Sequence, residues 1–474
     1  AALTETARQA LDKLLAGEGA LPSDYGNIVG QGALGAGGQA LGIAANKAFQ
    51  RNPLGVSPFD RAQARDPRFI GQTESLQNEA ARRGVDLTAG QSTGLRSLMA
   101  KERQLGRLDE TADIMSDFAR KQRDIQVPSA VRAEISQISP KTGEEAIQGF
   151  REGAAETVKA FEKQRFEAAD PFYKEAFAKN KIVASPLIDK ILNTPMGNDA
   201  LRSAAERTQN AMQRMASPDP ELTQIANELA SVGKMPETKG GVASGLSLRS
   251  LDLIKQNMDD AITATQKQVA NGTARPGSLS ELRETKRAFV KELDRLDVTA
   301  KAGPKSLKPE GGAYARGRAI WGSESDAVEA VKEGGVGLLK NMEGPDRIGI
   351  IRRVFDSGAA GLTPEEITRT RGNFLFAGKK AEWDAGLATW FSDKLDDAMK
   401  IGAQGERGNV PGKFYKSVWG DERQQAIVRA AIGDPARING IEKLMEVMRA
   451  ASRSLPEGSP TATDLAAMTQ GSLG

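Results

Sequence analysis

Histidine and cysteine are both missing from the 474 residues of this chain. Without imidazole there is no Ser-His-Asp relay, no histidine metal ligand and no side chain whose ordinary pKa lies near neutrality. Without thiols there is no thiolate nucleophile, zinc–thiolate site, iron–sulfur cluster or disulfide. Chemistry is left to carboxylates, lysines, hydroxyls and backbone. The expectation is a structural or binding protein with no catalytic site, no cofactor and no metal. The missing cysteines are silent on compartment, since such a chain is equally stable in reducing and oxidising surroundings. Aromatic residues are scarce at 5% and hydrophobic residues reach only 39%, which is lean for one large core but sufficient for helical bundles with Leu/Ala/Ile/Val interiors. An excess of one charge is lacking too. The 65 basic residues against 62 acidic leave +3, so no global basic footprint announces nucleic acid. No run reaches the roughly 20 strongly apolar residues of a spanning helix. The first residues carry Glu5, Arg8, Asp12 and Lys13 with no apolar block behind them, so no secretory signal is expected.

What is present is helical periodicity. Phe150, Ala154, Val158 and Phe161 recur at helical spacing, with Arg151, Glu152, Glu156, Lys159 and Glu162 on the other face. A second helix is predicted from an N-cap near Ser247, with a stripe of Leu251, Ile254, Met258, Ile262 and Val269 ended by Asn271-Gly272. After a turn at Pro276-Gly277, Leu282, Phe289, Leu293 and Leu296 form the answering stripe, and the pair reads as an antiparallel helical hairpin. No succession of alternating Val/Ile/Thr/Tyr runs suggests strands. The expected fold class is mainly α: elongated multi-helix bundles and helical hairpins joined by Gly/Pro-rich linkers, with little or no β.

Punctuation by Pro and Gly suggests the following organisation. Residues 1–50 hold an N-terminal helix and a Gly/Ala-rich uncharged segment. Residues 51–140 hold helices and a Pro-containing extended segment, the latter at 51–72 around Pro53, Pro58 and Pro67. A helical module (141–232), a linker (233–246), the hairpin (247–300), a basic linker (301–313) and another helical module (314–400) follow. The chain then runs through a Gly-rich loop (401–413) into a C-terminal helical element and flexible tail (414–474).

Two segments are candidate sites. From Tyr25 to Asn46 the chain is uncharged, and Ile28, Val29, Gly30, Leu34, Gly35, Gly38, Leu41, Gly42 and Ile43 give it the small-residue spacing that lets helices approach closely, in membranes or tight oligomers. The bland reading is a low-complexity arm, because glycine disfavours helix by nearly 1 kcal/mol each. Gln31 and Gln39 argue against stable spanning. Gly30, Gly32 and Gly35 have dinucleotide-fingerprint spacing, but no strand precedes them as that motif requires. From Arg275 to Arg318, eleven basic residues face six acidic ones. Lys301, Lys305, Lys308, Arg316 and Arg318 are the densest part and the candidates for weak DNA contact. The competing reading is a solvated linker beside a salt-laced hairpin. Gly372 to Lys379 imitates a phosphate loop with one residue too many and Lys380 where Ser/Thr belongs. Glu324-Ser325 resembles the acid of lytic transglycosylases, without the downstream residues of that fold; a solvated helix-start glutamate is the plainer expectation. Trp321, Trp383, Trp390 and Trp419 are expected to anchor helix packing.

Several stretches carry a resemblance. They are Gly84-Val-Asp-Leu-Thr-Ala-Gly-Gln-Ser-Thr-Gly94 with Leu98-Met-Ala-Lys-Glu102, the aromatic-rich module at 168–205, the paired helices at 246–262 and 281–296, Tyr314-Ala-Arg-Gly-Arg-Ala-Ile-Trp-Gly322, Val418-Trp-Gly-Asp421 and Gly458-Ser-Pro-Thr-Ala462. In this order they resemble elements of the long helical virion proteins of tailed phages described as internal, DNA-transfer or ejection (pilot) proteins. The resemblance implies residence inside the capsid near the portal and release with the genome. It further implies assembly into a homo-oligomeric conduit for DNA across the host envelope or periplasm. Expected partners are other virion ejection proteins, portal and tail components, non-specific genomic duplex DNA and the host membrane. The alternatives are a static portal-associated scaffold and, from another class, a peptidoglycan-degrading enzyme that uses glutamate alone.

Overall fold

Short polar residues followed by proline start many of the helices. Ser185-Pro186, Thr194-Pro195, Thr363-Pro364 and Asp434-Pro435 each place a side-chain oxygen to accept from a first-turn backbone N–H, with proline next where no N–H is needed. The computed structural model describes residues 58–453 apart from 106–108, 180–184, 216, 218, 233–245, 274, 300–311, 342–346, 359–360 and 401–407. Among the described residues the protein is mainly α, with no strand.

In chain order the helices begin with α1 (Pro58–Arg65), α2 (Phe69–Arg82), α3 (Ala89–Thr93), α4 (Arg96–Leu105) and α5 (Asp109–Lys121). A single π turn (Gln122–Gln126) leads into α6 (Val127–Ile138), and then comes α7 (Glu144–Lys179). Of the stretch 51–72, expected to be extended, residues 51–57 with Pro53 lie outside the described residues, and the rest is instead helical at α1 and from Phe69 onward. Pro58 occupies the first helical position, which proline tolerates, and Pro67 falls in the break between the helices. The middle of the chain forms α8 (Pro186–Leu192), α9 (Pro195–Gln213), α10 (Pro220–Val232), α11 (Leu248–Ala270), α12 (Pro276–Thr299) and α13 (Ala313–Glu333). The last part forms α14 (Gly335–Lys340), α15 (Arg347–Phe355), α16 (Pro364–Phe376), α17 (Lys380–Met399), α18 (Val410–Trp419), α19 (Glu422–Ile432) and α20 (Pro435–Ala451). The Gly-rich loop expected at 401–413 is therefore shorter at its C-terminal end. Asn409 caps α18 by accepting from the Gly412 N–H, with Pro411 in the first turn.

Two compact units result. One combines residues up to Val158 with those from Val331 onward, and the other is Lys159–Ala330, so that α7 and α13 each belong partly to both. The first unit is centred on aromatic rings. Phe150 of α7 lies 5.3 Å from Phe374, 5.6 Å from Trp383 and 6.1 Å from Phe355, centroid to centroid. Gly386 on α17 makes room for that ring, since a Cβ there would lie 2.7 Å from Phe150 Cγ. Trp383 and Trp390 are fully buried, and their indole N–H groups donate to the Ala431 carbonyl at 2.9 Å and Asp356 Oδ1 at 2.7 Å. Trp419 is buried as well.

The second unit has an aliphatic core with Leu248, Leu251, Ile254 and Met258 of α11 against Phe289 and Leu293 of α12. The expected hairpin is present. Ser247 accepts from the Ser250 N–H, Asn271 ends α11 and Gly272 turns the chain at φ +72°. The turn is tighter than expected, because Pro276 is already the first residue of α12.

The Thr88–Glu102 stretch forms a polar knot in the first unit. Thr88 and Gln91 make a capping box at α3, while Glu102 accepts from Thr88 Oγ1 at 2.9 Å and from the Gly90 N–H at 2.7 Å. Burial pushes the Glu102 carboxyl up from its ordinary pKa, and those two hydrogen bonds only partly offset the shift. A raised carboxylate pKa means that the folded state holds its proton longer than the unfolded chain. This contribution is complete below the unfolded pKa and disappears as pH rises through the folded one. The unfolding free energy of the native chain relative to Glu102→Gln is therefore expected to fall as pH rises above the ordinary carboxylate range and then to level off once the folded carboxyl has ionised. Urea titrations at stepped pH measure it, and a difference independent of pH would contradict the assignment.

Candidate functional site

The most functional-looking feature lies in the second unit, where α11, α12 and α13 line an open groove of about 780 Å³. Along α12, Arg283, Arg287 and Lys291 recur every fourth residue. At 1.5 Å rise per residue they form one strip, with steps of about 6 Å and a length of about 12 Å. All three are exposed, and among the described residues none is ion-paired. Arg283 makes only a 3.3 Å hydrogen bond to Gln266. The neighbouring row of α12 supplies Lys286, Val290 and Asp294. Lys286 and Lys255 both pair with Asp259, and Arg318 pairs with Asp294.

Counted over the lining, Lys255, Arg283, Lys286, Arg287, Lys291 and Arg318 face Asp259 and Asp294, six positive charges against two negative. The acids hold the inner cations in place and leave the α12 strip uncompensated. Cations sharing a concave surface reinforce each other's potential and attract anions. The apolar part of the lining is Ile262, Val290, Trp321 and the ring of Tyr173. The Arg165 guanidinium stacks 4.3 Å from the Trp321 ring centre. The phenols of Tyr173 and Tyr314 are held neutral by burial and by the nearby Asp252 carboxylate, which accepts the Tyr314 O–H at 2.7 Å.

The sequence-derived candidates fare unevenly. Ile28, Val29, Gly30, Leu34, Gly35, Gly38, Leu41, Gly42 and Ile43 lie outside the described residues, as do Lys301, Lys305 and Lys308. Arg316 stacks on Phe172 at 5.5 Å, and Arg318 is engaged with Asp294 and the Tyr314 ring, so both serve packing around α13, with Arg318 also at the groove edge. Trp321, expected in a core, is half-buried and lines the groove. Glu324 lies in the interior of α13, not at a helix start, and accepts a 3.4 Å hydrogen bond from Gln164. The phosphate-loop imitation at 372–379 is the C-terminal end of α16 and the turn after it. Among the described residues no cluster of acids could hold a metal ion, and no helix is long and apolar enough to cross a membrane.

The α12 strip was within the basic segment but not singled out there, although its four-residue period is readable in the letters. The contribution of Lys255 from another helix is not. Compared with known proteins, the chain matches no family model, no curated protein and no solved structure.

Proposed function

We propose that this chain is a tailed-phage virion protein of the ejection class. It resides in the capsid near the portal, leaves with the genome and self-associates into a conduit for DNA across the host envelope. It acts through shape and assembly, with no side chain turned over as a reagent. Its proposed partners are further copies of itself, other ejection and portal or tail proteins, the genomic duplex near Lys301, Lys305 and Lys308, and host membrane at residues 25–46.

One observation carries the reading furthest. The stretches that resemble ejection proteins at 168–205, 246–262, 281–296 and 314–322 follow one another in sequence and build one unit with one shared core. Ala176, Leu201, Leu251, Phe289 and Tyr314 are all buried in it. That the resembling stretches pack on one another supports reading them together as one module of that class.

The expected result is that particles triggered to release their DNA in vitro lose this protein, as read by quantitative mass spectrometry of full and emptied capsids. Retention at the original copy number would favour the static scaffold instead.

A further inference from the structure

We propose that the α11–α12–α13 groove is a binding site for single-stranded nucleic acid. Successive phosphates lie along Arg283, Arg287 and Lys291, and a base rests against Trp321. Three features converge on this ligand. The strip is about 12 Å long, too long for a lone phosphate group, and its step is comparable to the spacing of neighbouring phosphates on one strand. Its cations are not ion-paired, whereas Lys255 and Lys286 share Asp259 and Arg318 pairs with Asp294. Beside the strip the lining changes to Ile262, Val290 and Trp321.

A cationic rail next to an aromatic surface suits a strand whose bases are unstacked and free to lie on a ring. In a duplex the bases are stacked inward, so a duplex could use only the rail. A flat anionic lipid surface likewise would not follow a concave lining. The single-strand site uses other residues than the duplex contact proposed at 301–308. Strand binding by the groove can fail while release from the particle stands, and the reverse.

The test is fluorescence anisotropy with labelled oligothymidylate of twenty nucleotides, the matching duplex, and vesicles of anionic phospholipid, all with the full chain. The single strand is expected to bind at least tenfold more tightly than the duplex. Three neutralised phosphates on a single strand give a log–log salt slope of about −2, so affinity should fall roughly 20-fold between about 50 and 200 mM salt. The triple variant Arg283→Gln, Arg287→Gln, Lys291→Gln changes only exposed residues. It should keep its helical circular dichroism, lose at least tenfold in affinity and flatten the salt dependence. Neutralising Lys301, Lys305 and Lys308 should leave single-strand affinity within twofold. As a readout on the ring, strand binding should quench tryptophan emission in the native chain, and this component should vanish in Trp321→Phe. The proposal is overturned if the triple variant binds within twofold of the native chain, if the duplex binds as tightly as the single strand, if quenching persists in Trp321→Phe, or if only the vesicles bind.

Discussion

Replacing Trp383 by alanine is expected to cost about 3–5 kcal/mol of the first unit's unfolding free energy, the usual range for removing a large aromatic from a packed core. The side chain is 0% exposed. Its ring meets Phe355 and Phe374 edge-on at 5.4 Å each and Phe150 at 5.6 Å, so three rings lose a partner at once. Its N–H also satisfies the buried Ala431 carbonyl, which truncation would leave unpaired. Since whole domains are stable by only about 5–15 kcal/mol, the variant should sit near the edge of folding. A chain of two units need not unfold in one step. The loss should therefore appear in one transition of a urea titration followed by far-ultraviolet circular dichroism, with the Lys159–Ala330 transition unmoved. Trp383→Phe should recover much of the loss by refilling the gap. A change below about 1 kcal/mol on truncation would mean that the ring cluster is not the core of this unit.

The second large effect is expected at Gln91, which is 1% exposed and makes full use of its amide. Its nitrogen donates to Gln122 Oε1 and to the Ala451 carbonyl, both at 3.1 Å, and its oxygen accepts from the Gln122 amide at 3.0 Å and the Thr88 N–H at 3.1 Å. Gln91→Leu keeps the volume but takes the donor from Gln122 Oε1 and from the Ala451 carbonyl in a buried setting, while the Gln122 nitrogen keeps the Asp86 carbonyl, at about 1–3 kcal/mol for each unsatisfied group. A loss on the order of 3 kcal/mol follows. Because the two glutamines satisfy each other, Gln91→Leu with Gln122→Leu should cost clearly less than the two single changes together. Thermal and urea unfolding of the four proteins in this cycle measure the coupling. Simple additivity would show that the reciprocal amide pair is not what holds this region.

Much of the second unit could be read from the letters alone. The stripe Leu251, Ile254, Met258 and its answer Phe289, Leu293 are buried as the helical period requires, and Ser247 and Asn271-Gly272 bound the first helix. Where reading failed, the reasons are physical. Prolines at 51–72 suggested extended chain, yet Pro58 opens a helix, where proline is as favourable as in a loop. Val410–Gly412 looked like loop because Pro and Gly are adjacent, but the cap formed by Asn409 outweighs them. The groove was only half legible. The four-residue period of Arg283, Arg287 and Lys291 is local, while the pairing of Lys286 with Asp259 and of Arg318 with Asp294 depends on which helices become neighbours. Polar joints such as Gln91–Gln122–Ala451 are invisible for the same reason, since nothing in a single glutamine announces a partner 360 residues away.

The division of the chain has a consequence for how it is made. The Lys159–Ala330 unit is one uninterrupted stretch, whereas the other is split into an early and a late portion on either side of it. During synthesis the inserted unit can close as soon as it emerges, but Phe150 and Gln91 must wait for Trp383 and Ala451. Joining strands of chain so far apart carries a closure entropy that grows only slowly with the length between them. A prefolded insert shortens that gap further, so the late-arriving half completes a structure whose middle is already in place.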